Sequence, residues 1–333
     1  MNNKPKVKIN IGKVALPGNT VLSPMAGVTD APFREIARQN GADYTISEML
    51  TSQLSLWDTS KTKLRLNDRW GKTLKILQIA GASPEVVVEA AIKCEEIGAD
   101  ILEINMGCPA KKVCNVLAGS ALLKDEQLVQ TILSEVTKAV SIPVTLKTRL
   151  GWDDTLKNIV TVAKIAEDAN IQGLTIHGRT RNDLYNGTAS YDLIATVKQN
   201  LSIPVFANGD IDTPQKAKYV LDYTKADGLY IGRAALGRPW LFQQIKDYLA
   251  TGVYVESPTQ VTIKNTILQH IQYIHTHYPA PLRYRFATKH VKWYCQHLAF
   301  DLGSYKNMFT KFSISQSEQE QLDLVENLLQ YAP

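Results

Sequence analysis

One unit recurs along most of this chain, and its repetition limits the folds that the chain can adopt. Each unit consists of an apolar strand of four to six residues, a polar loop, and a helix with apolar residues at three- and four-residue spacing. Alternating strands and helices favour parallel pairing with right-handed crossovers. Eight such units predict an α/β fold of the (β/α)8 TIM-barrel type. The predicted strands cover 21–25, 43–46, 74–79, 100–105, 143–147, 173–177, 204–207 and 227–231.

An open doubly wound sheet is the alternative architecture for alternating strands and helices. That fold usually has fewer strands, and it carries a GxGxxG turn after its first strand. No such turn follows the strand at 21–25. The sequence SIPV occurs at 141–144 and again at 202–205, at the starts of the fifth and seventh strands, and this internal repeat also favours the barrel.

The segments before and after the repeated units have different patterns. Residues 7–16 predict a short N-terminal hairpin or plug. After about residue 250, strand-like runs end and apolar residues fall at helical spacing. We therefore expect a barrel domain over 1–250 and a small helical domain over 251–333 that packs on the barrel.

Helix starts and helix faces can be predicted on both sides of this boundary. Asp30, Ser83 and Thr213 each precede a helix whose first turn contains a proline, as N-cap residues do. Ser317 and Glu320 form a capping box that predicts the start of the last helix. Further helices are predicted over 282–298 and around 305–312, and the first helix of this domain is predicted from an apolar face made of Ile263, Ile267, Ile271, Ile274 and Tyr278.

Composition limits the class of protein. A chain of 333 residues with 44% apolar residues can bury one large core and a smaller one. The four cysteines include no CxxC pair, so we expect reduced thiols, no disulfide framework and no metal. No apolar run approaches the length of a membrane span and no signal peptide is present, which predicts a cytoplasmic protein without a membrane partner. The net charge of +5 predicts polyanion binding only weakly.

Polar side chains follow nearly every predicted strand at the point where the strand ends. In a TIM barrel the catalytic residues sit at the carboxyl ends of the strands. Any one of these residues could be a satisfied polar side chain at a strand terminus, but their joint occurrence predicts a binding site at one rim. The residues are Gln78, Asn105, Lys147, Arg149, His177, Asn208, Asp210 and Arg233.

Cys108 stands in the most informative of these strand ends. Gly107 and Pro109 break the strand, so Asn105 and Cys108 pass into a loop whose two lysines at 111 and 112 make it electropositive. A thiol displayed in this way is more often reactive than structural. The alternative is a small buried hydrophobic residue at a strand terminus.

The last two strand ends predict a phosphate site. Loops after the seventh and eighth barrel strands commonly bind phosphate, because glycines let backbone N–H groups approach it. Asn208-Gly209-Asp210 and Gly232-Arg233 fit that role. A ligand with its phosphate there and its rings toward Lys147 and Gln78 suits flavin mononucleotide (FMN), whose anionic reduced form a lysine would stabilise.

Eight motifs, in this order, resemble those of the tRNA-dihydrouridine synthases, and they are closest to the bacterial B subgroup. The likeness continues into the C-terminal part through YR at 284–285 and KHVKWY at 289–294, so it covers nearly the whole chain. The motifs are PMAGVTDAPFR (24–34), QIAG (78–81), EINMGCPAKK (103–112), LAGS (117–120), KTR (147–149), IHGRT (176–180), NGD (208–210) and IGR (231–233).

The resemblance implies an FMN-dependent barrel that reduces one uridine of tRNA to 5,6-dihydrouridine with NADPH as the hydride donor. By match to the family motifs, Cys108 is the proton donor, and Asn105 and Arg149 are expected to bind the substrate. The residues expected to bind FMN are Pro24, Met25 and Ala26 through their backbone, Gln78 and Lys147 at the ring edge, His177 at the ring or the ribityl side, and Asn208, Gly209, Asp210, Gly232 and Arg233 at the phosphate.

The chemistry of this reaction agrees with these residue types. The C5=C6 bond of uracil is conjugated with the C4 carbonyl, so hydride adds to C6 and a proton must reach C5. A thiol with a pKa near 8.5 is mostly protonated at neutral pH and can serve as that acid. Cys108 is therefore expected to act as an acid and not as a covalent nucleophile.

Basic residues concentrate in the C-terminal part, where 283–311 contains six lysines and arginines against one acid, Asp301. Arg285, Lys289 and Lys292 fall at helical spacing and form one stripe, with aromatic residues at 284, 293 and 294 between them. In a chain that resembles a tRNA-modifying enzyme, the stripe predicts contacts to RNA phosphates. A target base in a loop such as the D-loop leaves its stack most easily. We expect a monomer.

Two other functions remain open from the sequence. One is an FMN barrel that acts on a free pyrimidine, as dihydroorotate dehydrogenases do, and the other is an RNA-binding or chaperone-like protein with the barrel as scaffold. Cys114, six residues after Cys108, could form an oxidised pair with it or be an incidental thiol.

Overall fold

The computed structural model describes residues 9–68, 70, 74–298 and 302–328. Strands and helices alternate as the sequence predicts. The strands are β1 (Asn10–Ile11), β2 (Val14–Ala15), β3 (Thr20–Leu22), β4 (Tyr44–Thr45), β5 (Leu50–Thr51), β6 (Ile76–Ala80), β7 (Ile101–Met106), β8 (Val144–Arg149), β9 (Leu174–His177), β10 (Val205–Asn208) and β11 (Gly228–Ile231).

The helices lie between these strands and after the last of them. Short 3-10 turns cover Leu54–Leu56, Gly119–Lys124 and Arg233–Ala235. The α-helices are α1 (Ala31–Gln39), α2 (Ser60–Leu66), α3 (Pro84–Glu96), α4 (Lys111–Cys114), α5 (Glu126–Ala139), α6 (Ile159–Asp168), α7 (Asp192–Asn200), α8 (Pro214–Thr224), α9 (Leu241–Thr251), α10 (Gln260–His277), α11 (Leu282–His297), α12 (Leu302–Ile314) and α13 (Glu318–Leu328).

Nine parallel strands form one curled sheet in the order β4-β3-β11-β10-β9-β8-β7-β6-β5. The predicted TIM-barrel fold is confirmed, with one difference in strand count. The second barrel position is split, because β4 pairs with β3 while β5 pairs with β6. Between them Ser47 also bonds to β6, because its N–H donates to the Ile76 carbonyl over 3.0 Å and its hydroxyl accepts the Gln78 N–H over 3.1 Å. The sequence predicts the first half of this strand only.

The predicted helix caps are found with one change. Asp30 accepts the Phe33 N–H and Thr213 accepts the Lys216 N–H, as N-cap residues do. Ser83 occupies the N-cap of α3, but its hydroxyl donates to the Glu85 carboxylate instead of accepting a backbone N–H.

The N-terminal hairpin, β1 and β2, covers the amino-terminal end of the barrel. Ile9, Ile11 and Leu16 belong to the same buried cluster as Phe206 and Tyr230 from inside the barrel. Gly173 leaves room for this contact, because a Cβ there would lie 2.7 Å from Ile11 Cδ1. The predicted plug is therefore present over residues 9–16, and residues 7 and 8 lie outside the described part of the chain.

Helices α10 to α13 form a second core, apart from that of the barrel. It contains the predicted apolar face of α10, from Ile263 to Tyr278, although Tyr278 caps the helix and is not part of it. The capping box is half formed, because Ser317 Oγ accepts the Glu320 N–H while the Glu320 carboxylate accepts the Ser315 hydroxyl. Even α10, with 18 residues the longest helix in the described ranges, lacks the apolar length for a bilayer crossing.

Candidate active site

The predicted rim residues meet because the strand register brings their strand ends together. Asn105 on β7 pairs with Lys147 on β8, and Arg149 at the end of β8 pairs with His177 on β9. His177 in turn pairs with Asn208 on β10. These four strand ends, of β7, β8, β9 and β10, therefore lie side by side at the carboxyl end of the barrel.

Cys108 is held in a loop whose backbone is fixed on both sides. Asn105 Oδ1 accepts the N–H groups of Gly107 and Cys108 over 3.1 and 2.9 Å. The Ser120 hydroxyl donates to the Cys108 carbonyl over 2.9 Å. The thiol is half-buried at the rim, and hydrogen bonds hold the backbone on both sides of it.

Burial is the largest influence on the pKa of the Cys108 thiol, and it raises that pKa. The positive charges of Arg149 and Lys147 lower it by smaller amounts. The sequence predicts that Lys111 and Lys112 make the surroundings of the thiol electropositive, but both lie exposed on α4. The nearby positive charge comes instead from the strand-end residues Arg149 and Lys147. A raised pKa keeps the thiol protonated at neutral pH, the form that an acid requires.

Gln78 connects Asn105 to a buried carboxylate below the rim. Asn105 Nδ2 donates to Gln78 Oε1 over 2.9 Å, and Gln78 Nε2 donates to Glu103 Oε1 over 2.6 Å. The Tyr230 hydroxyl donates to Glu103 Oε2 over 3.1 Å. Burial raises the pKa of Glu103, and the charge of Lys147 opposes this shift.

Lys147 is buried at the centre of the rim and donates to Asn208 Oδ1 over 3.1 Å. Its pKa is lowered to about 8, because burial disfavours the ammonium more strongly than Glu103 favours it. The pKa of the His177 imidazole lies well below its ordinary value, first through burial and then through Arg149 and other nearby cations. His177 is therefore neutral at physiological pH.

Arg149 braces the loops around the rim. Its Nε donates to the Gly107 carbonyl over 2.8 Å, and its Nη1 donates to the carbonyls of Thr180 and Leu184 over 2.8 and 2.9 Å. The side chain is 1% exposed. These two nitrogens are thus engaged with backbone, next to the loop that holds Cys108.

Asp210 is the centre of an ion-pair network at the predicted phosphate site. Arg179 donates to both of its carboxylate oxygens over 2.8 and 2.6 Å, and Arg233 approaches Oδ1 at 3.3 Å. These cations and the N–H of Ala189 hold the pKa of Asp210 below its ordinary value, although burial opposes them. Arg179 is buried, whereas Arg233 is half-exposed and lies over the Tyr185 ring.

A cleft of about 650 Å³ opens beside the rim, between α2 and α11. Arg285 and Lys289 of the predicted stripe line one wall, while Lys61 and Arg65 of α2 line the other. Lys292 lies exposed on α11. At the floor, Lys289 Nζ donates to the Gly27 carbonyl, directly after the predicted backbone contacts at Pro24, Met25 and Ala26.

Sequence profiles and relatives agree on the family of this chain. The profile described as "Dihydrouridine synthase (Dus)" matches residues 21–332. The chain belongs to the dihydrouridine synthase family. A protein of Pseudomonas syringae pathovar tomato named tRNA-dihydrouridine synthase B is 53% identical over 286 residues, which cover 86% of this chain and 85% of the relative. A Salmonella typhimurium protein with the same name is 46% identical over 319 residues, or 96% and 98% of the two chains.

The resemblance drawn from the motifs, including its closeness to the B subgroup, is thereby confirmed. Among solved structures, 2-naphthoyl-CoA reductase aligns with a TM-score of 0.58 and 12% identity over 73% of this chain and 52% of the reductase chain. At that identity the likeness supports the barrel fold only.

Several residues of this dihydrouridine synthase family member escaped the sequence analysis. Glu103 and Arg179 stand inside motifs that were recognised, but their partners Tyr230 and Asp210 are distant in sequence. Lys61 and Arg65 lie on a short helix that carries no barrel motif. A search for cations on helices beside the first strand end would have found them.

One group of metal-capable side chains occurs within the described residues, at the junction of α1, α10 and α11. Asp30, His270 and His290 place ligand atoms within 4.8 Å of one another. The two imidazole rings are in edge-to-face contact with centroids 4.4 Å apart, and Asp30 accepts the Tyr278 hydroxyl over 2.9 Å and the Phe33 N–H. These contacts tie the helical core to the barrel. All four cysteines are free, and Cys114 Sγ donates to the Cys108 carbonyl over 3.6 Å.

Proposed function

We propose that this chain reduces a uridine of tRNA to 5,6-dihydrouridine, with bound FMN as hydride carrier and NADPH as hydride source. Membership of the dihydrouridine synthase family gives the reaction. The observation that carries its assignment to this rim is the half-buried Cys108 thiol, which burial keeps protonated beside a ring of strand-end donors. An acid at that position is what protonation of the uracil C5 carbon requires.

The chemistry of the rim fits FMN. Lys147 is buried, yet within the part of the chain that the structure describes its ammonium donates a single hydrogen bond, to Asn208, which leaves two N–H groups for acceptors on a ring edge. Gly209 has a φ of +121°, and a Cβ there would lie 2.8 Å from Ala189 Cβ and 2.9 Å from His177 Cδ2. Only glycine is accommodated at this position, and we propose that its backbone N–H approaches the phosphate.

The expected FMN contacts divide into side-chain and backbone groups. Lys147 and Gln78 would hold the ring edge, and Arg233 is the cation available for the phosphate. Asp210 carries negative charge and is engaged by Arg179, so we assign it the placement of the two arginines and not direct phosphate contact. The predicted contacts of Asn208, Gly209 and Gly232 with the phosphate are assigned to their backbone, since the Asn208 amide bonds Lys147 and the Tyr230 carbonyl. The backbone at Pro24, Met25 and Ala26 and the His177 ring would complete the site.

Bound and reduced, FMN supplies a hydride for C6 of the uracil. The Cys108 thiol then gives its proton to C5, where the enolate charge is quenched, and the thiolate regains a proton from solvent. Arg149 and Lys147 stabilise that thiolate, because their charges lower the pKa of the thiol. Asn105 holds the loop that presents the thiol, and we propose that the rim around it also positions the uracil.

The cleft between α2 and α11 is the proposed entrance for RNA. Arg285 and Lys289 on one wall and Lys61 and Arg65 on the other would contact phosphates, together with Lys292, which is exposed on α11. A uridine in the D-loop leaves its stack readily and could reach the rim past Ala26, which lines the same cleft. We propose that the helical part, 251–333, binds tRNA and that the protein acts as a cytoplasmic monomer.

A free pyrimidine as substrate is the second candidate from the sequence, and the family assignment does not favour it. A small substrate also has no use for a wide cleft with cations on both walls. The chaperone-like function is likewise disfavoured by membership of an enzyme family.

The test is uridine reduction in unmodified tRNA transcripts by the purified protein with added FMN and NADPH. Nucleosides are analysed by mass spectrometry, with Cys108→Ala and the neighbouring Cys114→Ala as matched variants. We expect dihydrouridine from the wild type and from Cys114→Ala, and at least a 100-fold slower reaction from Cys108→Ala. Turnover of free uracil or orotate without any product on tRNA would exclude the proposal.

A further inference from the structure

Glu103 has no part in the proposed reaction, yet it is bound directly to the site. It stands two residues before Asn105 on β7, so both side chains point to the barrel interior. Its side chain is fully buried, and both carboxylate oxygens accept hydrogen bonds, from Gln78 and from Tyr230. Burying a carboxylate costs free energy unless hydrogen bonds compensate it, so a role of Glu103 is expected in the bonds that it accepts.

We propose that Glu103 is a positioning residue, which fixes the Cys108 loop through the amide side chains of Gln78 and Asn105. The inference rests on the proposed role of Cys108 as the proton donor. It concerns the direction of the hydrogen bonds, since an amide side chain offers an acceptor at one end and donors at the other.

The backbone of the Cys108 loop determines which end of each amide side chain donates and which accepts. The backbone N–H groups of Gly107 and Cys108 can only donate, so Asn105 must turn Oδ1 toward them. Its Nδ2 then faces Gln78 and requires an acceptor there, which is Oε1. Gln78 Nε2 is left to donate on the far side, and Glu103 Oε1 receives it over 2.6 Å.

Position 103 must therefore provide an acceptor. Without one, Gln78 would leave a buried donor unpaired, or rotate its amide and present donors to Asn105. Asn105 would then lose either its bond to Gln78 or its hold on the loop. A shift of the thiol by about 1 Å can cost about 100-fold in rate.

A second role for Glu103 is conceivable, as the counter-charge of Lys147, and it predicts a different result. Glu103→Gln removes the charge but retains an oxygen that accepts from Gln78. Glu103→Leu removes both the charge and the acceptor. Tyr230→Phe removes the other hydrogen bond of the same carboxylate and leaves the acceptor for Gln78 in place.

The experiment uses these three variants of the FMN-loaded protein and two measurements. The first is hydrogen exchange of the peptide that contains the Gly107 and Cys108 amides, measured by mass spectrometry without NADPH or tRNA. The second is kcat and KM for tRNA transcripts. We expect Glu103→Leu to exchange about tenfold faster at these amides and to lose about 10- to 100-fold in kcat, with KM for tRNA unchanged. Glu103→Gln and Tyr230→Phe should remain within about threefold of the wild type in both measurements.

Equal losses of kcat in Glu103→Gln and Glu103→Leu would overturn the proposal and would show that Glu103 acts as the counter-charge of Lys147. Unchanged exchange in Glu103→Leu would also overturn it. If the leucine variant does not fold, Gln78→Leu serves in its place, because it removes the hydrogen bond between Gln78 and Asn105. It must then show the same faster exchange at the Gly107 and Cys108 amides. Failure of the wild type to form dihydrouridine would refute the proposed function instead, while the exchange measurement would still decide the role of Glu103.

Discussion

The rim of the barrel and the cleft beside it are both rich in polar side chains, but they are organised in opposite ways. At the rim, Gln78, Asn105 and Lys147 are buried and bonded to one another or to neighbours before any ligand arrives. In the cleft, Arg285 and Lys61 lie at the surface. In the proposed function, the reaction geometry is thus built into the folded protein, whereas the RNA would be held by solvated charges. Changes at the rim should therefore be severe and specific, and changes in the cleft mild and dependent on salt.

The largest effect is expected from Cys108→Ser. The hydroxyl occupies a similar place but is a far weaker acid, so we expect dihydrouridine formation to slow by about 10² to 10⁴ while tRNA binding is unchanged. Single-turnover kinetics with reduced enzyme measures the chemical step. Cys114→Ser is the matched control, since that thiol lies in the same segment and should be replaceable. More than a tenth of wild-type rate in Cys108→Ser would remove the thiol from the reaction.

Asp210→Ala should have the next largest effect, on stability and on FMN retention together. It leaves the buried Arg179 guanidinium without its bidentate partner, and loss of one member of such a pair costs about 3 kcal/mol. Urea unfolding of the apoprotein measures this loss.

Arg233→Met is the comparison variant, because Arg233 approaches the same carboxylate but is half-exposed. We expect Arg233→Met to lower the free energy of unfolding by less than about 1 kcal/mol. It should also bind FMN more weakly in a fluorescence titration. Equal stability losses in the two variants would show that burial does not distinguish the two arginines.

The junction between the barrel and the helical core should make stability depend on pH. Burial and the neighbouring His290 hold the pKa of His270 well below its ordinary value, with Asp30 opposing. The unfolded chain therefore binds a proton that the folded chain excludes, and stability falls as the pH drops below about 6.5, by up to about 1.4 kcal/mol per unit for one histidine. The Asp30 carboxylate has a lowered pKa, so its contribution is lost only in more acidic solution.

His270→Phe removes this titration and should reduce the slope of unfolding free energy against pH between 7.5 and 5.5. Tyr294→Phe is the control, because it removes the hydroxyl bonded to His270 Nδ1 without removing a group that titrates in this range. An unchanged slope in His270→Phe would assign the pH dependence to other histidines.

Arg285→Ala should have the smallest effect. Loss of one exposed phosphate contact is expected to raise the KM for tRNA a few-fold at low salt and to reduce the slope of log Kd against log salt concentration by about one. Lys164→Ala, on α6 at the outside of the barrel, is the matched control and should change neither. A fall in kcat at saturating tRNA would contradict the separation of cleft from rim.

Sequence periodicity was sufficient to predict the barrel, because each strand and helix of the repeated unit is determined locally. Strand ends then predicted the rim, since parallel register brings them to one edge, as Asn105 and Lys147 illustrate. The split second strand was missed, because it depends on pairing with two different neighbours, β3 and β6, that are distant in sequence. The direction of the Glu103 bonds and the engagement of Asp210 by Arg179 are likewise tertiary, and no spacing in the sequence encodes them.

The hairpin of β1 and β2 has a consequence for the order of events in a catalytic cycle. Its residues Ile9, Ile11 and Leu16 close the amino-terminal end of the barrel, which leaves the carboxyl end as the open end among the described residues. In the proposed reaction, a nicotinamide and a uracil that both react with the same flavin would then have to reach it in turn through that end. We expect the two substrates to exclude each other, with parallel lines in double-reciprocal plots and NADP⁺ leaving before the tRNA enters.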